Sequence, residues 1–285
     1  MRGWWQDLTD LVLPAECGGC GRPRTALCPE CRAALHGTAP RRVRPVPEPA
    51  GLPPVHAAAP YEGAVRAMLL SHKERGALTL AGPLGTALAG AVRACCGSVA
   101  SRAGGGPAPV LLVPVPSARR AVRARGHDPT RRIALAAAGQ LRRAGTAARV
   151  AAVLRQRRAV ADQAGLGSRQ RLTNLAGALE VAAGSARLLV GGRIVLVDDL
   201  MTTGASLTEA ARAVRAALAE ADSADTEVYA RVAGEARGER RAKETTAPAH
   251  RPPGPWGTAA GNGLRDGICA AVVAASPESF ETNRN

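Results

Sequence analysis

Two groups of residues have types and spacings that chemistry can use. The first is Cys17-Gly18-Gly19-Cys20 with Cys28-Pro29-Glu30-Cys31, a C-x2-C-x7-C-x2-C pattern. Four thiolates at this spacing can close a tetrahedral site, with glycines turning the backbone toward the ion. Zn2+ is the ion such a closed set selects, in a structural role, and an iron–sulfur cluster is its rival. So short a segment has no core of its own, so metal would supply its folding energy, on the order of 10 kcal/mol. Cys95, Cys96 and Cys269 have no partner spacing and read as buried small hydrophobes.

The second group is Arg193-Ile-Val-Leu-Val-Asp198-Asp199-Leu-Met-Thr202-Thr203-Gly204-Ala205-Ser206-Leu207. An apolar strand here delivers two carboxylates to the C-terminal edge of a sheet, where open α/β sheets bind ligands. Thr202, Thr203, Gly204, Ala205 and Ser206 then open a helix. Its first N–H groups lack intrahelical partners and sit at the positive end of the helix dipole, and the hydroxyls add donors. That turn suits a phosphate. Asp198 and Asp199, the candidate catalytic pair, can accept hydrogen bonds from sugar hydroxyls and hold a hydrated Mg2+. A ribose 5-phosphate therefore fits the pattern. Walker A and G-x-G-x-x-G sequences are absent.

The elements that must position these residues follow from periodicity and breakers. Residues 4–13 have helical apolar spacing and stop at Pro14. Residues 38–60 hold seven prolines and read as an extended linker, so the main domain is expected to begin near Tyr61. Helices are expected over 61–75, 77–96, 128–143 and 205–220, with buried strands at Val110–Val115, Ile194–Val197 and Ile268–Ala275. Residues 149–181 read as short strands and a loop. Residues 234–263 read as a disordered insertion, and Tyr229 and Val232 as a competing strand. Strands alternating with helices indicate a parallel sheet in an α/β domain. The expected organisation is a helix and cysteine module at 1–37, the linker at 38–60, and an α/β domain at 61–285.

Charge narrows the ligand class. The chain has 38 Lys+Arg against 23 Asp+Glu, a net charge of +15. A coding bias toward arginine would spread that excess. Instead residues 111–180 carry 14 basic and 3 acidic side chains, whereas residues 181–228 carry 4 and 7. Such a patch points to an anionic partner. Residues 111–180 contain no Phe, Trp or Tyr, so single-stranded nucleic acid lacks its stacking platforms there. No run of 18 apolar residues reads as a membrane span and no signal peptide is evident, which suggests a cytoplasmic protein. Seven cysteines with four closely paired fit a reducing compartment.

The segment Val195–Ser206 resembles the phosphoribosyl-pyrophosphate (PRPP) motif of type I phosphoribosyltransferases. Together with the cysteine pairs, the Val113-Pro-Val-Pro116 loop and Arg125-Gly126, it resembles the ComF family, which is associated with DNA uptake in competent bacteria. That likeness spans most of the chain except 38–56 and 234–263. It implies a type I phosphoribosyltransferase-like fold behind a zinc module. It places Arg119, Arg120 and Arg125 around the pyrophosphate loop, and Arg155, Arg157, Gln163, Arg171 and Asn174 in a hood over the site. His127-Asp128 stands where the family has Phe-Asn, and Leu179 where Phe is common. Around His72-Lys73-Glu74-Arg75-Gly76 the family's aromatic is missing. The function so implied is Mg2+-dependent binding of PRPP, with phosphoribosyl transfer to a nitrogenous acceptor. The alternatives are a non-catalytic competence accessory that binds single-stranded DNA or partner proteins, and a PRPP-responsive regulator. A homo-oligomer is compatible with each.

Overall fold

The computed structural model describes residues 16–97, 108–158, 168–240 and 267–281. The helix expected at 4–13 and Gln163 lie outside the described residues.

Six strands form one sheet. In chain order they are β1 (Arg41–Val43), β2 (Val55–Pro60), β3 (Val110–Pro114), β4 (Ala148–Val150), β7 (Arg193–Met201) and β8 (Cys269–Ala275). Their spatial order is β1-β2-β8-β7-β3-β4, parallel throughout except for β1, which runs antiparallel to β2. β5 (Leu154–Gln156) and β6 (Leu179–Val181) make a separate antiparallel pair. The inner strands are buried on both faces, as a parallel sheet requires.

Alternation along each strand sorts side chains between two apolar layers. Val110, Leu112, Val195, Val197, Ala271 and Val273 face one layer. Against it pack α1 (Pro29–His36), α2 (Gly63–Glu74), α3 (Ala81–Gly97) and α5 (Pro129–Arg143). Leu111, Val113, Ile194, Leu196, Ala270 and Val272 face the other layer, covered by α7 (Ala205–Arg240). Each fully buried Leu, Ile or Val contributes about 1.5–3 kcal/mol. Two short helices lie on the loops, α4 (Arg119–Arg125) and α6 (Ser168–Leu175), and α8 (Glu278–Glu281) follows β8. Asp128 caps α5 by accepting a bond from Arg131 N at 3.1 Å, and Pro129 occupies its first turn.

Several expectations are corrected. Residues 38–60 are not a linker, because β1 and β2 belong to the sheet and β2 pairs with β8. The prolines flank these strands, and Ala57–Ala59 supply the buried, small-residue interior of β2. Residues 16–37, expected to lack a core of their own, share the main one: Leu27, Cys31 and Leu35 pack under α2 and α3. α7 continues to Arg240, so Tyr229 and Val232 are helical and 234–240 is not an irregular insertion; 241–263 lies outside the described residues. A helix, α6, stands in the loop expected before β6. Cys95 and Cys269 are not unpaired hydrophobes but form a disulfide across 174 residues. One disulfide also removes the cysteine count as support for a reducing compartment. Among the described residues, Leu78–Gly97 alone is long and apolar enough, by length and composition, to cross a membrane. It contains α3, whose Leu84, Leu88 and Val92 are fully buried in the core.

Candidate functional site

The chain leaves β3 for β4 on one side and β7 for β8 on the other, so connections diverge where β3 and β7 lie side by side. The crevice beyond the carboxyl ends of two such strands is where α/β sheets bind ligands. Asp198 and Asp199 stand there, inside the last residues of β7.

Asp199 is 5% exposed and faces α2, where Lys73 Nζ donates to its Oδ2 at 2.8 Å. Burial works against the Lys73 ammonium, but the Asp199 charge and hydrogen bond outweigh it, so its pKa stands above the usual lysine value. Asp198 Oδ1 accepts from the Thr130 hydroxyl at 3.3 Å and from the Asp199 N–H at 2.8 Å. Desolvation first, and the neighbouring Asp199 charge second, push the Asp198 carboxyl well above the ordinary carboxylate range. Paired carboxylates of this kind suit a hydrated divalent cation, and Lys73 already supplies one positive charge to them.

Past Met201 the turn Thr202–Gly204 leads into α7. Gly204 has φ +75°, and a Cβ there would lie 3.1 Å from Leu52 and 3.4 Å from Pro45. Only glycine fits both the conformation and that contact. The supposed linker thus packs the phosphate-suited turn from outside. Arg171 on α6 donates from Nη1 to the Thr202 hydroxyl at 3.2 Å, and its Nε is buried with no partner. A guanidinium N–H left over beside this turn is a donor for an anion.

The remaining predicted site residues divide. Arg119 and Arg120 open α4 just beyond the end of β3; they are exposed, and no residue of α4 is buried. Arg125 is committed to Glu74 on α2 through bonds of 2.8 and 3.0 Å. Arg155 on β5 pairs with Glu180 of β6 at 2.9 Å. Arg157 continues that strand, its N–H bonded to Ala178 O, and its neighbour Arg158 donates to the carbonyls of Asn174 and Ala176. Asn174 lies on α6. The β5–β6 pair is fastened to the body by Glu209, 5% exposed on α7, which accepts from Leu179 N at 3.0 Å and from Arg212 at 2.8 Å. Burial opposes the Glu209 charge, and the Arg212 bonds overcome it, holding the carboxyl below its usual range. A groove of about 670 Å3 beside this anchor, lined by Leu172, Ala176, Glu209, Arg212 and Arg215, lies apart from the diacid.

Lys73, Thr130, His72 and His127 complete the neighbourhood. The two imidazoles meet edge to face, 5.8 Å between centroids. Each directs Nδ1 at a carbonyl, His72 at Ala77 O (3.2 Å) and His127 at Arg125 O (3.1 Å), so Nδ1 carries the hydrogen. Burial lowers the His72 pKa. The adjacent His127-Asp128 pair is no dyad, because Asp128 is spent on capping α5. In sequence Lys73 is only one charge within His72-Lys73-Glu74-Arg75-Gly76; its partner lies 126 residues away.

At the N-terminal cluster, one sulfur from each of Cys17, Cys20, Cys28 and Cys31 lies within 4.8 Å of the others. Cys28 also caps α1, its sulfur accepting from Cys31 N at 3.5 Å, while Cys28 N donates to Cys17 Sγ at 3.3 Å. Burial opposes ionisation of Cys17, but the N–H groups of Cys28, Cys20 and Gly19 bring it down to about 6. Burial pushes the Cys31 thiol up. The donor set is compatible with structural zinc, which would neutralise the gathered thiolates.

No model of a known protein family matches the chain, and no curated protein is significantly similar to it.

Proposed function

We propose that this protein binds Mg2+-PRPP at the ends of β3 and β7 and transfers its phosphoribosyl group to a nitrogenous acceptor, as a type I phosphoribosyltransferase-like protein of ComF type. One observation carries the reading. A single strand presents Asp198 and Asp199 at a sheet switch point and runs directly into a glycine turn at the start of a long helix. The carboxylates match sugar hydroxyls, and the turn, with the Thr202 and Thr203 hydroxyls, matches a 5-phosphate.

In this reading Thr202–Ser206 hold the 5-phosphate and Asp198 and Asp199 orient the ribose diol. Bound Mg2+ would neutralise pyrophosphate oxygens and draw charge from the breaking bond. Arg119 and Arg120, exposed beyond β3, and Arg171 beside Thr202 receive the pyrophosphate. The acceptor nitrogen forms its bond to C1 as the C1–pyrophosphate oxygen bond breaks, and the electron pair leaves with pyrophosphate. Arginines on the hood stabilise that charge and exclude water from an oxocarbenium-like centre. A cytoplasmic location and competence-associated partners belong to the same proposal.

Calorimetric titration with Mg2+-PRPP tests it. Wild type is expected to bind, and Asp198→Asn/Asp199→Asn to lose binding; no binding by wild type sinks the reading. Pyrophosphate release over a panel of bases and amines then separates a transferase from a sensor. The exposed Arg119, Arg120 and Arg123 of α4, with no acidic residue in that helix, favour a second reading, single-stranded DNA binding. A flat dependence of affinity on salt removes it.

A further inference from the structure

Four consecutive residues at or next to the end of α2 each reach a different part of the molecule. Ser71 Oγ donates to Gly18 O, inside the first cysteine pair, at 3.1 Å. His72 bonds the turn at Ala77, Lys73 bonds Asp199, and Glu74 holds Arg125 of α4. Successive helical residues point about 100° apart, so one turn can serve all four directions.

The cysteine end of this junction is closely fitted. Ser71 is 6% exposed. A Cβ on Gly18 would lie 2.5 Å from the Leu80 side chain, on the 3-10 turn that follows α2, so the knuckle backbone rests against that side chain. The Ser71 carbonyl in turn accepts from Arg75 N at 3.2 Å and Ala77 N at 3.1 Å, which closes the helix end and leads to Leu80. The ligand end is also fitted, because Asp199 is buried and Lys73 is its cation. The Ser71 bond and the Leu80 contact therefore connect a displacement of the knuckle to the last turn of α2, which carries Lys73 and Glu74.

We propose that the last turn of α2 couples the four-cysteine centre to the diacid crevice, with Ser71 as the positioning residue, so that metal at the cysteines sets Lys73 against Asp199 and Glu74 against Arg125. Coupling between two sites is reciprocal. Changes at the diacid end must alter how tightly the cysteines hold their metal, although that end touches none of them. The knuckle is then a control element of the crevice as well as a structural clip.

The test is zinc release from the zinc-loaded, full-length protein into a chromogenic chelator, read as a rate. Ser71→Ala is expected to release zinc about fivefold faster, the lower end of site-to-site couplings, and Ser71→Thr, which keeps the hydroxyl, to restore the rate. Lys73→Met is expected to accelerate release to a similar extent. Glu74→Gln, at a half-exposed position with little bearing on folding, is expected to give about twofold. Wild-type rates in both Lys73→Met and Glu74→Gln, with native circular dichroism, overturn the coupling. These arms use no sugar phosphate and so stand apart from the PRPP reading. Adding Mg2+-PRPP is expected to slow release from wild type. Acceleration in the variants without any effect of Mg2+-PRPP supports the coupling and counts against that ligand.

Discussion

The cysteine knuckle and the diacid crevice both gather acidic groups that repel one another, and they resolve the repulsion differently. The knuckle brings four sulfurs within 4.8 Å, and Arg22, the cation that acts electrostatically on Cys28 and Cys20, is bonded to Glu30, so a bound metal ion would supply the neutralising charge. The crevice has two carboxylates and an internal cation, Lys73, at 2.8 Å. A site that imports its counter-ion depends on it for folding, whereas a site that carries one is formed beforehand. The difference is one of chain economy: the cysteines are close in sequence, while Lys73 and Asp199 meet only after the sheet and α2 have assembled.

Removing the imported charge should have the largest effect. A strong chelator is expected to cost on the order of 10 kcal/mol of metal-linked folding free energy at residues 16–37. Metal analysis, thermal unfolding and hydrogen exchange at α1 check it; a metal-free protein with unchanged exchange there breaks the comparison. Removing the internal charge should cost less. Lys73→Met leaves Asp199 buried and unpaired, which for a fully buried pair costs several kcal/mol. Because the Lys73 side chain is 35% exposed, about 2 kcal/mol is expected by chemical denaturation. Adding Asp199→Asn should recover most of that loss, which sharpens the assignment to charge.

Asp198→Asn should move stability the other way. The folded carboxyl has a raised pKa, so the folded chain binds the proton more tightly than the unfolded one. Wild-type stability therefore falls as pH rises from the ordinary carboxylate range through the raised value. The variant, free of that loss, is expected to be more stable than wild type at neutral pH. The gap should close below about pH 4, where both states of the wild type are protonated. A gap that widens in acid would assign the wrong sign to Asp198. Arg171→Ala should have the smallest effect on stability, within about 0.5 kcal/mol, since one bond to an exposed hydroxyl is lost. Its consequence is expected in Mg2+-PRPP affinity instead.

Much of this was legible in the sequence where local signals suffice. The C-x2-C pairs mark their own cluster because ligands a few residues apart must lie close in space. The run Ile194–Val197 reads as a buried strand because it is apolar throughout, and Gly204 reads as a turn because little else tolerates its conformation. The proline-rich segment misled: turn residues concealed Val55–Pro60, a strand whose small side chains lack the usual β-branched signature. α7 outran its expected end because residues beyond 220 lose apolar periodicity without meeting a proline or glycine break before Gly234.

Sequence alone determined the chemistry available: four thiols in one knuckle, two carboxylates followed by a hydroxyl-rich glycine turn, and a basic stretch to face them. Spacing along the chain is enough for that, since each group spans a few residues. Only the tertiary structure decided how the groups are used. It placed Lys73 on Asp199, Arg171 on Thr202, Arg125 on Glu74 and Cys95 on Cys269. Such pairings close loops of tens to hundreds of residues, and their partners are chosen by which faces the sheet and helices bury together. No local pattern records that choice.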